Sequence, residues 1–183
     1  MPNFKRFRVP GAMYFFTVVT HDRCPILTTD LGRRSLRESF DSELARLPFD
    51  LFAVVLLPDH LHAVWKLPPG DTDYSTRWGK IKEGFTRRFL AGGGFEGTRT
   101  VNRDRHRERA VWQQRFWEHT IRDEDDLERC VSYIHWNPVK HRLVARVKDY
   151  PWSSFQRFVH AGDYDPDWGG ELECPDVSGA EWE

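Results

Sequence analysis

Two β-rich segments that follow each other almost without a break place the strongest constraint on the fold of this chain. Phe49–Leu57 and His60–Leu67 are rich in aliphatic and aromatic side chains, a composition typical of strands. Only Pro58 and Asp59 separate them, so the two segments are predicted to pair as an antiparallel hairpin. The other segments of the chain have to be fitted to a sheet that contains this hairpin.

The segments on either side of the hairpin alternate between strand and helix. Met13–Thr20 predicts a buried strand, and Leu31–Leu47 predicts an amphipathic helix that ends at Pro48. Beyond the hairpin, Ser75–Ala91 predicts a basic amphipathic helix and Phe116–Arg122 a fourth strand. The resulting order is typical of a split βαβ unit. We therefore predict an α+β protein with a ferredoxin-like sandwich, in which helices cover one face of an antiparallel sheet.

The rest of the chain predicts a loop and two further helices. Phe95–Arg109 has no hydrophobic period and predicts an exposed loop whose arginines are available to phosphate groups. Asp123–Asn137 predicts a helix, because carboxylates crowd its first turn, where the helix dipole favours them, and Pro138 follows it. A short helix is predicted at Trp152–His160.

Charge is distributed unevenly along the chain. The 183 residues carry a formal net charge of -1, but eight acidic residues and no basic one lie beyond Gly162, which leaves +7 on the rest. We predict one domain at residues 1–160 and an acidic, flexible tail at 161–183. A basic domain suits a polyanionic partner such as nucleic acid, although a solvated surface of mixed charge explains the same composition.

Membrane insertion, secretion and disulfide chemistry find no support in the sequence. No apolar run approaches the roughly 20 residues that span a bilayer, and the N-terminus does not read as a secretory signal. We therefore expect a cytoplasmic protein. Cys24, Cys130 and Cys174 are widely spaced and form no CxxC pair, so we expect ordinary thiols rather than a disulfide framework or a cysteine zinc site.

His60 and His62 open the second strand of the hairpin. Side chains two residues apart on a strand point to the same face, so the two imidazoles are predicted to lie side by side while Leu61 points into the core. Such a pair can chelate one cation. The pattern also arises by chance on strand faces, but its position at the start of a strand, where a substrate can reach it, favours a metal site.

Tyr133 and Asn137 are predicted to lie one turn apart on a flank of the last long helix. The apolar stripe of this helix must face the sheet, and it consists of Leu127, Cys130, Val131 and Ile134. Trp136 lies opposite the stripe. Tyr133 is therefore not simply a core residue, although a half-buried tyrosine that directs its hydroxyl to water would show the same pattern.

The histidine and tyrosine motifs occur together in a known family. The sequence resembles the HUH (His-hydrophobe-His) single-tyrosine transposases, and most closely the REP-associated tyrosine transposases. The resemblance runs from about Phe4 to Val159 through five blocks in order: VPGAMYFFTVVTHDR, LLPDHLHAVWKLP, RFWEHTIR, YIHWNPVKHRLV and YPWSSF. His141 and Arg142 depart from it, since a small residue and a glycine are expected there.

The resemblance implies a metal-dependent transposase that cuts and rejoins single-stranded, hairpin-forming repeat DNA. It implies that Tyr133 is the nucleophile and that His60, His62 and Asn137 bind Mg²⁺ or Mn²⁺. Attack by the phenol would give a 5′-phosphotyrosine intermediate and release a 3′-hydroxyl. A phenol with a pKa of about 10 is a poor nucleophile at neutral pH, so a cation that polarises the phosphate fits this chemistry.

Basic and aromatic side chains outside this site are candidates for DNA binding. Phosphate contacts are predicted for Arg6, Arg8, Lys80, Arg87, Arg88 and Lys140. Trp136 is the main candidate for stacking on an unpaired base, whereas Trp78 and Trp117 fit the core better. His119 fits either a group that orients a metal ligand or a structural hydrogen bond.

Two other functions stay open on the sequence alone. The basic domain is also expected of a hairpin DNA-binding protein that derives from a transposase and does not cut. The two histidines are also expected of a metal-dependent phosphodiesterase that uses water instead of tyrosine. The protein is expected to act as a monomer or a homodimer without a membrane partner.

Overall fold

A four-stranded antiparallel sheet forms the centre of the protein, whose structure is a computed structural model that describes residues 8–169. The strands are β1 (Met13–Val19), β2 (Asp50–Leu56), β3 (His60–Lys66) and β4 (Trp117–Thr120). Their order is β2-β3-β1-β4, and every neighbouring pair is antiparallel. The predicted hairpin, the α+β class and the split βαβ order are therefore confirmed.

Within residues 8–169, five α-helices accompany the sheet. They are α1 (Asp30–Arg46), α2 (Tyr74–Ala91), α3 (Val101–Arg105), α4 (Glu124–Lys140) and α5 (Phe155–Ala161). The short helix α3 lies inside the segment predicted as a loop. The hydroxyl of Thr100 caps it by accepting a hydrogen bond from the backbone N–H of Arg103, and a helix of this length is too short to show a hydrophobic period.

Helix α4 continues through Pro138, where the sequence predicted its end. Proline removes one backbone donor, and here it lies in the last turn of the helix, so one hydrogen bond near the terminus is all that is lost. The turn is closed by the backbone N–H groups of His141 and Leu143, which donate to the carbonyls of Asn137 and Pro138 at 2.9 Å each.

The helices cover both faces of the sheet, which corrects the prediction of one covered face. Tyr14, Phe16 and Val18 of β1 belong to the core cluster under α1 and α2. Phe15 points the other way and packs in a second cluster with Ile134 of α4. Because β1 is apolar on both of its sides, each side needs a cover to bury it.

The packed part of the chain extends beyond residue 160. The rings of Tyr164 and Trp168 lie 4.5 Å apart, and both rings pack on Phe155 of α5. The acidic residues from position 170 onward lie outside the described residues, so a flexible tail stays a prediction there. Of the helices within residues 8–169, none is long and apolar enough to cross a membrane.

Candidate active site

The hairpin turn places His60 and His62 on the face of the sheet that α4 covers. His60 pairs with Val19 and His62 with Thr17 across the β1–β3 ladder. Leu61 points to the opposite face, into the cluster under α1 and α2. The two imidazole rings lie 5.0 Å apart between centroids. Strand alternation therefore produces the side-by-side pair that the sequence predicts.

Each histidine is held through its Nδ1 nitrogen. His60 Nδ1 donates to a carboxylate oxygen of Asp59 at 2.6 Å, and His62 Nδ1 lies 2.9 Å from the hydroxyl oxygen of Thr17. These contacts fix the two rings and leave Nε2 as the nitrogen that each ring can offer to a ligand. The pair is thus preorganised by groups on β1 and in the hairpin turn.

Arg23 supports this arrangement from a turn that follows β1. Its guanidinium donates to the second carboxylate oxygen of Asp59 at 3.1 Å. Burial alone would raise the pKa of Asp59, but the hydrogen bonds from His60 and Arg23 outweigh it and lower that pKa. Asp22 and Arg23 both adopt left-handed backbone, with φ of 51° and 50°, which stores strain in non-glycine residues next to the site.

Tyr133 of α4 packs directly on this histidine pair. Its ring centroid lies 5.2 Å from that of His62 and 6.0 Å from that of Phe15. The Nζ of Lys140 donates to the phenolic oxygen at 3.0 Å. The tyrosine is 1% exposed, so its hydroxyl contacts the protein rather than water. The alternative interpretation of a half-buried tyrosine that directs its hydroxyl to water is therefore wrong, because the ring is buried against Phe15 and His62.

Tyr133, Asn137 and His141 form one stripe along α4, at spacings of four residues. Tyr133 contacts His62 at one end of the stripe, and His141 contacts His60 at the other, with ring centroids 5.1 Å apart. Asn137 lies between these two contacts and is fully buried. Helical spacing thus places Asn137 on the side of α4 that contacts the two imidazoles.

Buried polar atoms in this stripe fit a bound cation. The Nε2 of His62 and both side-chain polar atoms of Asn137 are buried and make no hydrogen bond within residues 8–169. Most buried polar atoms in proteins are satisfied. Burial, followed by the charges of His60, Lys140 and nearby cationic groups, lowers the pKa of His62 well below its ordinary value. A neutral imidazole and an amide oxygen next to it are ligands that a divalent metal can use.

A second group of potential ligands lies at the start of α4. His119, Asp126 and Cys130 have ligand atoms within 4.8 Å of one another. However, Asp126 already accepts hydrogen bonds from His119 at 2.8 Å and from Arg122 at 3.1 Å. Burial raises the pKa of Cys130 to about 12, so the thiol stays protonated. This group therefore suits the structural interpretation of His119, which fixes the first turn of α4 to β4.

Three of the predicted DNA-binding cations are engaged with the protein itself. Lys80 pairs with Glu83 at 2.9 Å, and Arg88 pairs with Glu38 of α1 at 3.1 Å. Lys140 is exposed, and its Nζ donates to the phenolic oxygen of Tyr133, which places it at the solvent edge of the site. Charge counting along the sequence does not reveal these contacts.

The other predicted DNA-binding residues are spread over the molecule. Arg8 is exposed, with its guanidinium 5.9 Å from the ring of Tyr74, near the end of the sheet opposite to His60. Arg87 is exposed on α2, and Trp136 is half-buried on α4. Arg6 lies outside the described residues. The structure therefore brings together the predicted nucleophile, metal ligands and Lys140, but not the wider set of cations.

Four residues near the site were missed by the sequence reasoning. They are Thr17, Arg23, Asp59 and His141. Asp59 precedes His60 directly, and His141 lies eight residues after Tyr133 on the same helical stripe, so spacing could have indicated both. Thr17 and Arg23 depend on the β1–β3 register and on the turn after β1, which a single sequence does not fix.

Comparison with known proteins identifies the class of protein that has this fold and site. The sequence model of the IS200-like transposases matches residues 8–137, which is more than half of the chain. The chain therefore belongs to the IS200-like transposase family.

Relatives narrow this family further. The REP-associated tyrosine transposase of Escherichia coli is 38% identical over 173 residues, covering 94% of this chain and 93% of that protein. A Haemophilus influenzae protein, provisionally named in the same way, is 41% identical over 172 residues, covering 93% of this chain and 94% of that protein. A solved structure of a REP-associated tyrosine transposase bound to a REP hairpin has 37% sequence identity and a TM-score of 0.78, and the match covers 97% of this chain and 96% of that chain. Within its family, the chain is thus a transposase-type enzyme of the REP-associated group.

Proposed function

We propose that this protein is a metal-dependent single-strand DNA endonuclease and strand transferase that acts on hairpin-forming repeat DNA. The observation that carries the proposal is the convergence of Tyr133, His60 and His62 at one spot, with Asn137 between the contacts that α4 makes to the two histidines. The REP hairpin bound by a protein 37% identical over 97% of the chain supports hairpin DNA as the substrate.

The Nε2 atoms of His60 and His62 and the amide oxygen of Asn137 would hold Mg²⁺ or Mn²⁺. When bound there, the ion would polarise the scissile phosphate and offset the negative charge that develops on it. Because the three ligands are neutral, they leave the charge of the ion undiminished. Asp59 and Thr17 keep the two rings aimed, so little reorganisation is needed on binding.

Tyr133 would attack the phosphorus of the scissile phosphodiester. The phenol loses its proton to water, a bond forms between its oxygen and phosphorus, and the bond from phosphorus to the 3′-oxygen breaks. The leaving 3′-oxygen takes up a proton and the 5′-phosphate stays on Tyr133. The ammonium group of Lys140, 3.0 Å from the phenolic oxygen, favours the phenolate before attack and on release. A second 3′-hydroxyl reverses the step and joins the strands.

The burial of the site sets a requirement on this mechanism and supports one alternative. Tyr133 is 1% exposed, and Asn137 and His62 are fully buried, so a phosphate reaches them only after the end of α4 moves. If no such movement occurs, the protein binds hairpin DNA without cutting it. A protein with this second function would have the same fold and basic surface but would not cleave DNA.

Covalent-adduct formation tests the proposal. Labelled single-stranded repeat DNA incubated with the protein and Mn²⁺ should give a denaturation-resistant adduct that Tyr133→Phe does not form. Tyr164→Phe is a matched control, because its ring packs on Phe158 and Trp168 and its hydroxyl lies 3.3 Å from that of Ser132, not at the histidine pair. An adduct that persists in Tyr133→Phe would overturn the assignment, and tight hairpin binding without cleavage under either metal would select the non-cutting alternative.

A further inference from the structure

A large basic cleft lies between α2 and the segment that follows α3. We call it the α2–α3 cleft; its volume is about 650 Å³, within the range of about 300–1,000 Å³ typical of small-ligand sites. Its charged lining residues are Lys82, Arg87, Arg103, Arg107 and Arg109, with Glu83 and Glu108. Five cations against two carboxylates make the cleft a place for an anion.

The outer cations of the cleft are not used to hold the protein together. Arg87 and Arg107 are exposed and form no ion pair within residues 8–169, whereas Arg109 pairs with Glu96 at 2.9 Å. Arg107 occupies left-handed backbone, with φ of 56°, an unfavourable conformation for a long side chain. These two guanidinium groups are therefore available to bind a phosphate.

The inner wall of the cleft is built rigidly. Arg103 is buried and donates to the backbone carbonyls of Arg109 at 2.9 Å and Trp112 at 3.0 Å. The Nζ of Lys82 donates to the carbonyls of Gln113 and Gln114 at 2.5 and 3.2 Å. Burial lowers the pKa of Lys82 to about 8, and the negative charge of a bound anion would raise this pKa again.

The floor of the cleft combines apolar surface with one unsatisfied donor. Trp112 and Leu90 line it. Trp112 is 3% exposed, and its indole N–H is buried without a hydrogen-bond partner among the described residues. Trp112 thus backs the floor from the core, and the half-buried side chain of Leu90 gives the floor an apolar patch that suits the flat face of a nucleic acid base.

The wall of the cleft joins the sheet at the end of β1 that pairs with His60. The backbone N–H of Gln113, in the cleft wall, donates to the carbonyl of Val19 at 2.9 Å. Val19 is the residue that pairs with His60. One strand position therefore connects the wall of the cleft to the histidine pair, so an extended DNA strand can reach both.

We propose that the α2–α3 cleft binds single-stranded DNA that extends from the cleavage site. Arg87, Arg107 and Lys82 contact its phosphates. A base packs against the apolar floor at Leu90. This inference rests on the proposed function and adds to it a second contact region, on the face of the sheet opposite to α4, that recognises the unpaired flank rather than the hairpin.

Binding of two labelled DNA probes tests this inference. One probe is a repeat hairpin with a single-stranded flank, and the other is the same hairpin with a blunt end. The variant Arg87→Gln/Arg107→Gln removes two charges but keeps side-chain length. The control Arg34→Gln/Arg37→Gln removes two exposed arginines of α1, which do not line the cleft. Thermal melts verify that both variants fold.

We expect the cleft variant to bind the flanked hairpin about tenfold more weakly, with the blunt hairpin unaffected. The slope of log K against log salt should decrease by about 1.4, since each phosphate contact to a single strand contributes about 0.7. Equal affinities of the cleft variant, the control and the wild type for the flanked probe would overturn the inference while leaving adduct formation intact. A wild type that binds neither probe would overturn the proposed function as well.

Discussion

The replacement Thr17→Val probes how the site is preorganised. Thr17 is buried, and its hydroxyl oxygen lies 2.9 Å from Nδ1 of His62, whose ring is fully buried. With Nδ1 protonated and facing this oxygen, Nε2 carries the lone pair that a metal needs. Valine has nearly the same shape but cannot accept the hydrogen bond, so the tautomer with a proton on Nε2 becomes competitive.

Two magnitudes follow for Thr17→Val. Loss of a group that orients a metal ligand typically weakens metal binding about ten- to hundredfold, or about 1.4–2.7 kcal/mol. The buried Nδ1 is left unsatisfied, which costs about 1–3 kcal/mol of unfolding free energy. For a chain of this size, a loss of about 2 kcal/mol lowers Tm by roughly 4–8 °C.

Calorimetric titration with Mn²⁺ measures the first effect, and thermal melts of the metal-free protein measure the second. Thr17→Ser is the matched control, because it keeps the hydroxyl and loses one methyl group, and it should retain most of the affinity. An unchanged Mn²⁺ affinity in Thr17→Val, with wild-type protein binding the ion, would refute the argument that this hydrogen bond selects the ligating nitrogen.

Three further predictions concern the rest of the molecule. Burial lowers the pKa of His135 to about 3, from an ordinary 6.5, so between these pH values the unfolded state binds a proton that the folded state does not. The unfolding free energy should therefore fall by about 1.4 kcal/mol for each pH unit below about 6.5, and urea titration should show a smaller fall in His135→Asn. Arg88→Ala should cost under about 1 kcal/mol by removing the exposed pair with Glu38, without changing DNA affinity in the same probe assay. Cys130, with its pKa raised to about 12 by burial, should stay unmodified by thiol reagents at pH 8 until the protein unfolds, as peptide mass mapping would show.

The sequence was sufficient where a short-range pattern determines the structure. His60 and His62 share a face because strand side chains alternate, and Tyr133 and Asn137 share a flank because a helix turns every 3.6 residues. The hairpin followed from the two residues between its strands. Each of these inferences depends on neighbours within one element, and the structure shows each arrangement.

Long-range relations were harder to predict. The sequence predicted helices on one face of the sheet, although the apolar character of both sides of β1 could have indicated a sheet covered on both faces. The partner of Arg88 could not be foreseen, because it depends on how α1 lies against α2. Lys140 lies seven residues after Tyr133 on the same helix, so helical spacing could have indicated that contact. Side-chain pairs between elements require a register that a single sequence does not fix.

Anomalous scattering from Mn²⁺-soaked crystals would test the central claim most directly. We expect one ion within coordination distance of the Nε2 atoms of His60 and His62, with the amide oxygen of Asn137 as the third protein ligand and the hydroxyl of Tyr133 next to it. An ion that binds instead at His119, Asp126 and Cys130, or Tyr133 turned away from an occupied histidine pair, would contradict the assignment of these residues to one catalytic centre.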